Sequence, residues 1–391
     1  MSLSKYAVPV LAVAGSAYAA CSASPSPTVT VQNAGDVAAF TTCRTFSGSI
    51  AVATGATDFQ LSGVRELNGN LVVLNNTQIS GISADSLETI KGTFRLDNLE
   101  SLTSLNFPKL TQVEEIEWTS LSRLDTIGFD SEVTEADSVK IENTFLSSLK
   151  GINLATVKTL KLANNKQIND ITMENLGNVS EILDFSDNNV DVNVSLPNLL
   201  WASNMTFRNV SSLDLPSLET LNGSFNLVNN AFLSFKAPNL TTIGGALSFV
   251  SNTELTNLTL PELTEVKENL EIANNTKLHK IDGIPKLKTI RGALDFNGNM
   301  SEVALPAINH IFGAFNLQST GDIDCDKDFK PLKSSGKIEG RYFCKGNVAK
   351  PGGEGTTPTV TGSGASKTNA ASPANVGSNV LMAGLAAAFF L

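Results

Sequence analysis

Residues 238–275 read PNLTTIGGALSFVSNTELTNLTLPELTEVKENLEIANN, and this stretch contains the same structural unit twice. Each copy begins with Pro-x-Leu-x-x-Ile/Val, at Pro238 and at Pro261, and leads into a short alternation, LSF at 247–249 and LEI at 270–272. Apolar residues that alternate with polar ones are typical of a strand that buries one face. Proline lacks the N–H that a central strand donates, so it marks the corner between two faces of a coil.

The alternating motif recurs along most of the chain at steps of 20 to 24 residues. Its first apolar positions are Ile50, Leu71, Phe94, Ile116, Val139, Leu160, Leu183, Met205, Phe225, Leu247, Leu270, Leu294 and Phe315. A period this constant indicates stacked repeats that bury their faces against one another. The predicted fold is all-β, a right-handed parallel β-solenoid of about 13 coils, with a length of about 60 Å at one strand spacing per coil.

A turn residue follows each strand, four places after its first apolar position. The residues of this turn column are Asn75, Asn98, Ser120, Asn143, Asn164, Asp187, Asn209, Asn229, Ser251, Asn274 and Ser319, with Gly298 as an interruption. We expect stacked amides at this corner to hydrogen-bond along the solenoid and to satisfy buried turn backbone, as in leucine-rich repeats. Contact with a ligand is the alternative interpretation.

The four cysteines lie in two pairs near the ends of the repeats. In an oxidising secretory route they are expected to form disulfides, and the sequence alone allows three pairings. The solenoid separates the two pairs by far more than the ~7 Å between Cα atoms that a disulfide tolerates. We therefore expect Cys21 to pair with Cys43 and Cys325 with Cys344, each bond closing a cap. A short helix over 36–40 is predicted just before Cys43.

Both ends of the chain carry processing signals. Lys5, the apolar run 6–13 and the small residues 17–19 are typical of a secretory signal peptide. At the other end, the small triplet 369–371, a polar spacer and the apolar segment 380–391 are typical of a GPI-anchor signal. The predicted lipid attachment site is Asn369, with Ser363 or Gly364 as alternatives.

These signals and the repeats predict a domain organisation. It comprises a signal peptide (1–19), an N-terminal cap (20–49), the solenoid (50–319), a C-terminal disulfide cap (320–349), a Ser/Thr/Gly/Pro stalk (350–369) and a removed GPI propeptide (370–391). The stalk offers almost no apolar surface to bury, so it is expected to act as a spacer.

Ten N-x-S/T sequons predict a glycoprotein. The acceptors are Asn75, Asn178, Asn193, Asn204, Asn209, Asn222, Asn239, Asn257, Asn274 and Asn299. Three of them, Asn75, Asn209 and Asn274, coincide with the turn column, so some of these are expected to be buried and unmodified. The formal net charge of −10 and the absence of a basic stripe exclude nucleic acid as a partner.

The sequence predicts no catalytic, cofactor-binding or metal site. His279 and His310 lack a nucleophile or ligand setting and are expected to be solvated or at the core edge. The acidic run 322–328 resembles the start of a calcium loop, but Lys327 replaces its turn glycine and Lys333 its bidentate glutamate. We expect a solvated acidic cap there, with a weak calcium site as the alternative.

A polysaccharide-cleaving β-helix enzyme is the alternative function, since such enzymes use paired carboxylates. Carboxylates that could act in this way are Glu114, Glu115 and Glu117 near Trp118, and Asp295 near Glu271. Of the two tryptophans that could stack on sugar, Trp118 falls on the inward phase of its strand and is expected in the core.

Segments 43–50 (CRTFSGSI), 323–325 (IDC) and 340–344 (GRYFC) flank the repeats. In this order the chain resembles the fungal GPI-anchored cell-wall organisation proteins of the Ecm and Sps type, which are related to receptor L domains. The resemblance implies a non-enzymatic mannoprotein needed for cell-wall integrity, held at the outer leaflet of the plasma membrane or linked to wall glucan. It implies no catalytic residues. A receptor-like signalling ectodomain is a further alternative and would need a co-receptor.

A binding face is predicted from the residues between the two inward positions of each strand. These outward residues are Glu117, Lys140, Lys161, Asp184, Thr206, Asn226, Ser248, Glu271, Asp295 and Asn316. Alternation sends them to the solvent side of the sheet, and stacking aligns them in one polar ribbon, here termed the outward column. None of the ten sequon asparagines occupies it. The expected partner is a wall polysaccharide or a wall or surface protein, with membrane contact through the GPI lipid only; a plain solvated sheet is the alternative.

Overall fold

The computed structural model describes residues 21–23 and 27–353 of the chain. The predicted signal peptide, the anchor signal with Asn369 and most of the predicted stalk lie outside the described residues. Within the described part, no helix is both long and apolar enough to cross a membrane.

A parallel β-solenoid forms the body of the protein, and its largest sheet contains the strand of every predicted repeat. In spatial order these strands are β1 (Thr28–Val31), β3 (Ser49–Val52), β6 (Leu71–Leu74), β8 (Thr89–Asp97), β10 (Gln112–Leu121), β11 (Ser138–Thr144), β12 (Thr156–Ala163), β14 (Asn178–Ser186), β16 (Trp201–Arg208), β19 (Phe225–Val228), β22 (Leu247–Val250), β25 (Leu270–Ala273), β28 (Leu294–Gly298), β31 (Phe315–Ser319) and β32 (Tyr342–Lys345). The predicted solenoid is confirmed, and each cap adds one strand to it.

Shorter strands complete the coils. Within the same large sheet, an upstream segment of the coil is formed by the first halves of β8, β10, β12, β14 and β16 and by β2 (Thr45–Ser47), β5 (Glu66–Asn68), β18 (Thr220–Leu221), β21 (Thr242–Ile243), β24 (Glu265–Val266), β27 (Thr289–Ile290) and β30 (His310–Ile311). Smaller sheets contain β4 (Asp58–Leu61), β7 (Gly81–Ala84), β9 (Ser104–Asn106), β13 (Asp170–Thr172), β15 (Asn193–Ser195), β17 (Ser212–Asp214), β20 (Ser234–Lys236), β23 (Asn257–Thr259), β26 (Lys280–Ile281) and β29 (Glu302–Val303). The helices are α1 (Ala34–Ala38), α2 (Cys325–Asp328) and α3 (Lys330–Ser334).

The core is a continuous apolar column inside the coils. Both inward positions of every predicted strand are buried, and the parallel register stacks like on like, as Leu247 on Leu270 and Phe249 on Ile272. Trp118 is 0% exposed, with its ring centroid 5.6 Å from that of Phe94. The prediction that Trp118 belongs to the core is confirmed.

The turn column adopts the left-handed conformation. Ten of its members have φ between 51° and 59°: Asn75, Asn98, Ser120, Asn143, Asn164, Asp187, Asn209, Asn229, Ser251 and Asn274. Asparagine and aspartate tolerate this region because their short side chains can bond to nearby backbone. The turn prediction is thus correct. The predicted bonding along the solenoid is also found in this column, since Asn98 Nδ2 donates to Asn75 Oδ1 of the preceding coil at 3.0 Å. The buried turn backbone, however, is satisfied by the residue one place further along the chain.

The buried amides are the residues that follow the turn column. Here termed the amide ladder, they are Asn76, Asn165, Asn188, Asn230, Asn252 and Asn275, each at most 3% exposed. Asn165 Nδ2 donates to Asn188 Oδ1 of the next coil at 3.2 Å and to the Ile141 carbonyl of the previous one at 2.9 Å. Asn165, Asn230 and Asn252 each link three coils, and the amides of the ladder satisfy backbone that faces away from solvent.

Proline and glycine shape the remaining corners. Pro238 occupies a turn in which the Leu240 N–H donates to the Ala237 carbonyl at 3.4 Å, so its missing N–H costs no ladder bond. At another corner successive coils approach so closely that a Cβ on Gly313 would lie 2.5 Å from the carbonyl carbon of Gly292. Only glycine fits such a contact.

A disulfide stands at each end of the solenoid. Cys21 bonds to Cys43 with a Cα separation of 5.4 Å, and Cys325 bonds to Cys344 with a separation of 5.7 Å. The predicted pairing is confirmed. The predicted helix over 36–40 is displaced by two residues.

The N-terminal helix starts earlier than predicted because Asn33 supplies its cap. Asn33 Oδ1 accepts from the Gly35 N–H at 2.9 Å, and the Asp36 carboxylate accepts from the Asn33 N–H at 3.2 Å. This reciprocal capping box fixes the first turn two residues upstream of Asp36.

Candidate functional site

The outward column forms one unbroken line across the large sheet. The ten predicted residues are direct Cα partners on successive parallel strands, from Glu117 and Lys140 at one end to Asp295 and Asn316 at the other. Nine of them are partly exposed. Arg95 extends the line, since it is the partner of Glu117 on the preceding strand.

Opposite charges neutralise one another in the half of the column nearer the N-terminus. Arg95 Nε lies 3.6 Å from a carboxylate oxygen of Glu117, and Lys140 Nζ lies 3.8 Å from Glu115. Lys161 Nζ lies 2.6 Å from Glu142, and this hydrogen bond raises the pKa of the lysine. The three pairs order a polar surface without giving it a strong net charge.

Two carboxylates meet in the other half of the column. Glu271 and Asp295 are direct Cα partners, and Ser248 donates from Oγ to Glu271 Oε2 at 3.1 Å. Burial raises the pKa of Glu271; the Ser248 hydrogen bond opposes this effect and the Asp295 charge adds to it. The structure therefore brings together one of the two carboxylate sets considered for catalysis.

The C-terminal end of the column is covered by the chain itself. Asn316 Nδ2 donates to the Gly352 carbonyl at 3.0 Å, and the Gly352 N–H donates to Gln318 Oε1 at 3.2 Å. Asn316 is consequently only 4% exposed, so its predicted place on an accessible face is wrong. The first residues of the predicted stalk thus contact the solenoid rather than leave it at residue 350.

A groove of about 860 Å³ opens beside the column. Its polar lining includes Lys91, Gln112, Glu114, Glu135 and Asp137. Of the three glutamates near Trp118 that were considered for catalysis, only Glu114 lies in this groove. Glu115 and Glu117 lie on the adjoining strand face, where each contacts a cation. That set is therefore divided between two surfaces.

The sequon asparagines lie at the surface. Eight of the ten are exposed, and two, Asn178 and Asn209, are partly buried. The expectation that some sequons of the turn column are buried is wrong, because Asn75 and Asn274 are exposed. The buried position is the following residue, as the amide ladder shows.

The histidines and the acidic segment are engaged in local contacts. His279 Nδ1 lies 2.9 Å from the Asn299 carbonyl oxygen, and His310 Nε2 lies 2.5 Å from Glu339. In the acidic segment, Asp324 caps α2 by accepting from the Lys327 N–H at 3.1 Å. Across the described residues, no group of three or more His, Cys, Asp or Glu side chains is arranged to hold a metal ion.

Sequence reasoning missed the residues that neutralise the column. Arg95 occupies the same motif position as Glu117, one repeat earlier, so the alternation contained the signal that identifies it. Glu115 and Glu142 flank the column on outward positions two residues away, and period two would also have found them. The sheet face is therefore at least three side chains wide.

Comparison with known proteins identifies the family. A family model described as "Ecm33: GPI-anchored cell wall organization protein" matches residues 1–40. The chain is 39% identical to protein ecm33 of Aspergillus fumigatus over 370 residues, which cover 94% of this chain and 92% of the relative. It is 37% identical to a cell surface GPI-anchored protein of Arthroderma benhamiae over 352 residues, 90% and 89% of the two chains.

A more distant relative is the cell surface GPI-anchored protein ECM33 of Candida albicans, 30% identical over 312 residues, 79% of this chain and 75% of the relative. No solved structure matches the chain. The relatives carry the names of surface and cell-wall proteins. The chain therefore belongs to the Ecm33 family of GPI-anchored cell wall organization proteins at the fungal cell surface.

Proposed function

We propose that this protein is a non-enzymatic scaffold that binds a cell-wall polysaccharide along the outward column while a GPI lipid at Asn369 holds it at the cell surface. The observation that carries the proposal is the unbroken register of the column across adjacent coils. A polymer with a regular repeat can make the same contact on successive coils, which are spaced about 4.8 Å apart. Many weak contacts then add up to a stable complex.

The side chains of the column suit a neutral polyol. Thr206, Asn226 and Ser248 offer hydroxyl and amide groups at its centre, and they are partly exposed. The charges in the half of the column nearer the N-terminus are compensated by neighbours, so they can accept and donate hydrogen bonds there without attracting a strongly charged ligand. Aligned hydrogen-bonding groups on a rigid sheet lose little entropy on binding.

Charge reversal in the column tests the proposal. The column variant combines Lys140→Glu, Lys161→Glu and Asp184→Lys. A control with the same net change combines Lys277→Glu, Lys286→Glu and Glu302→Lys, which disrupt exposed ion pairs elsewhere on the coils. Exposed pairs contribute only about 0 to 1 kcal/mol each, so both proteins should fold.

The measurement is retention of each purified variant on isolated wall glucan and chitin, with melting temperature as the check on folding. We expect the column variant to bind at least about tenfold more weakly, a loss of about 1.4 kcal/mol, and the control to bind as the parent does. Equal retention of all three proteins would exclude the column as the binding face. Retention of none, including the parent, would point to a protein partner instead.

A polysaccharide-cleaving enzyme is a second candidate, favoured by the adjacent carboxylates Glu271 and Asp295 and by the raised pKa of Glu271. Such a pair could supply a general acid and a base. Prolonged incubation with glucan and chitin should release no reducing ends if the scaffold proposal holds. Reducing ends that appear with the parent and disappear with Glu271→Gln would establish the enzyme.

A further inference from the structure

An apolar patch interrupts the polar solvent face of the large sheet. It consists of Ile182, Leu200 and Trp201, on strands β14 and β16 or immediately before β16. Ile182 is 45% exposed, Leu200 is 47% exposed and Trp201 is partly exposed. The equivalent positions on neighbouring strands are polar or small, such as Thr159 and Thr220. Apolar side chains on this otherwise polar sheet face leave surface in water that a neighbouring group could cover.

Two sequon asparagines lie directly beside residues of the patch, each on the neighbouring strand. Asn178 is the direct Cα partner of Trp201, and Ile182 is the direct Cα partner of Asn204. Each of the four stands next to a buried residue of its own strand, Val179, Leu183, Ala202 or Met205, so all four side chains face the solvent side across the register shift between Val179 and Ile182. Each acceptor asparagine therefore stands one strand spacing, about 4.8 Å, from an exposed apolar side chain.

The two acceptor amides have weak contacts within the described residues. Asn178 Oδ1 is buried and has no hydrogen-bond partner among them. Asn204 Nδ2 makes only long contacts, at 3.4 Å to the Glu181 carbonyl and 3.5 Å to Ser203 Oγ. By contrast, Asn204 Oδ1 accepts from the Ser224 N–H at 3.0 Å, which holds the amide in place. Asn204 is therefore held in place by its oxygen, while its amide nitrogen makes only these long contacts.

We infer that the protein's own N-glycans occupy this patch: the first sugar on Asn178 packs its C–H face against the Trp201 indole, and the first sugar on Asn204 covers Ile182. A pyranose ring has an apolar face that matches an aromatic ring, and covering the indole removes apolar surface from water. The sugars are covalently held beside the patch, so the contact needs no binding partner from solution. The inference does not depend on what the outward column binds.

The test uses the full chain expressed in a glycosylating host. Ser180→Ala removes the Asn178 sequon without changing that asparagine, and Ser180→Thr keeps the sequon as the matched control. Acrylamide quenching of tryptophan fluorescence reports on Trp201, because Trp118 is fully buried. We expect quenching to rise about twofold in Ser180→Ala, as the indole face loses its cover, and to stay at the parent level in Ser180→Thr.

Trimming separates the first sugar from the rest of the glycan. An endoglycosidase that leaves one N-acetylglucosamine should preserve protection of Trp201, whereas full removal by an amidase should abolish it. Glycopeptide mass spectrometry of the parent must show sugar on Asn178. An unmodified Asn178, or equal quenching in Ser180→Ala and Ser180→Thr, would overturn the inference. So would protection of Trp201 that persists after full removal.

Discussion

Asn252 offers the most direct test of whether the amide ladder holds the coils together. Its side chain is 0% exposed. Nδ2 donates to the Leu227 carbonyl at 3.0 Å and to Asn275 Oδ1 at 3.1 Å. Oδ1 accepts from the backbone N–H of Asn230 at 2.9 Å and from its Nδ2 at 3.0 Å. One residue thus connects its own coil with those on both sides.

The substitution Asn252→Ala removes the partner of three buried groups: the Leu227 carbonyl, the Asn230 backbone N–H and one Asn230 amide hydrogen. A buried polar group left without a partner costs about 1 to 3 kcal/mol, so for three groups we expect a loss of about 3 to 9 kcal/mol in the free energy of unfolding. That is a large part of the ~5 to 15 kcal/mol by which folded proteins are stable. The measurement is guanidinium unfolding followed by circular dichroism.

Asn226→Ala provides the matched control, since this asparagine lies in a neighbouring coil but is partly exposed on the outward column. It should change stability by no more than about 0.5 kcal/mol. Hydrogen exchange should locate the effect of Asn252→Ala to the coils around β19, β22 and β25, because each coil contacts only its neighbours. A loss below about 1 kcal/mol for Asn252→Ala would refute the structural role of the ladder and favour the ligand interpretation.

Three further changes follow from the structure. Asn229 has φ 55°, so Asn229→Ala should lower stability by about 1 kcal/mol and Asn229→Gly should not; equal unfolding midpoints for the two variants would contradict this. Burial raises the pKa of Glu271 in the folded protein. The protonated carboxyl therefore stabilises the fold fully at pH values below the unfolded-state pKa of about 4.5, and this contribution is lost as the pH rises through the folded-state pKa. Glu271→Gln should therefore raise the melting temperature at pH 7 and have no effect near pH 4, and a pH-independent difference would exclude the linkage. Cys325→Ser opens a bond that spans 19 residues and should cost about 3 kcal/mol, with faster hydrogen exchange confined at first to β31 and β32. Equal acceleration at the N-terminal coils would contradict a local role for that disulfide.

The strands of the solenoid could be predicted because two simple periods coincide in the sequence. Alternation identifies the inward positions, and steps of 20 to 24 residues stack them, so Leu247 and Leu270 meet in the structure as the repeat requires. The turn column could be predicted for the same reason, since a left-handed residue is needed at one fixed place in each coil.

The amide ladder was misplaced because asparagine suits both of two consecutive positions. In Asn229-Asn230 and Asn274-Asn275 the first residue turns the chain and the second is buried, and the residue type does not distinguish them. The ladder residue stands five places after the first apolar position of its strand and directly after the turn residue, as Asn165 follows Asn164. Residue type alone does not mark the ladder position, which holds Leu99, Leu121, Thr144 and Val210 in other coils. Where it holds asparagine, the amide can donate and accept at once.

The groove and the covered end of the column depend on contacts that composition does not encode. The groove lies where the upstream strand of one coil is reduced to a single bridge between Gln112 and Glu135, with the small residue Ala136 beside it. The cover over Asn316 is made by the backbone of Gly352. A glycine-rich segment predicts a spacer, and nothing in its composition shows which backbone groups find a partner.

The ends of a solenoid pose a problem that its interior coils do not have. An interior coil buries apolar surface against two neighbours, whereas an end coil has one neighbour and leaves a strand edge open to other chains. Here α1 packs against β1 and buries Val37, while Phe329 beyond the last coil packs on Phe315 with ring centroids 5.3 Å apart. Each cap packs on one neighbouring coil only, so covalent closure by a disulfide adds to the stability that this packing supplies. The cysteines therefore stand at the two ends of the solenoid, where a coil lacks a second neighbour.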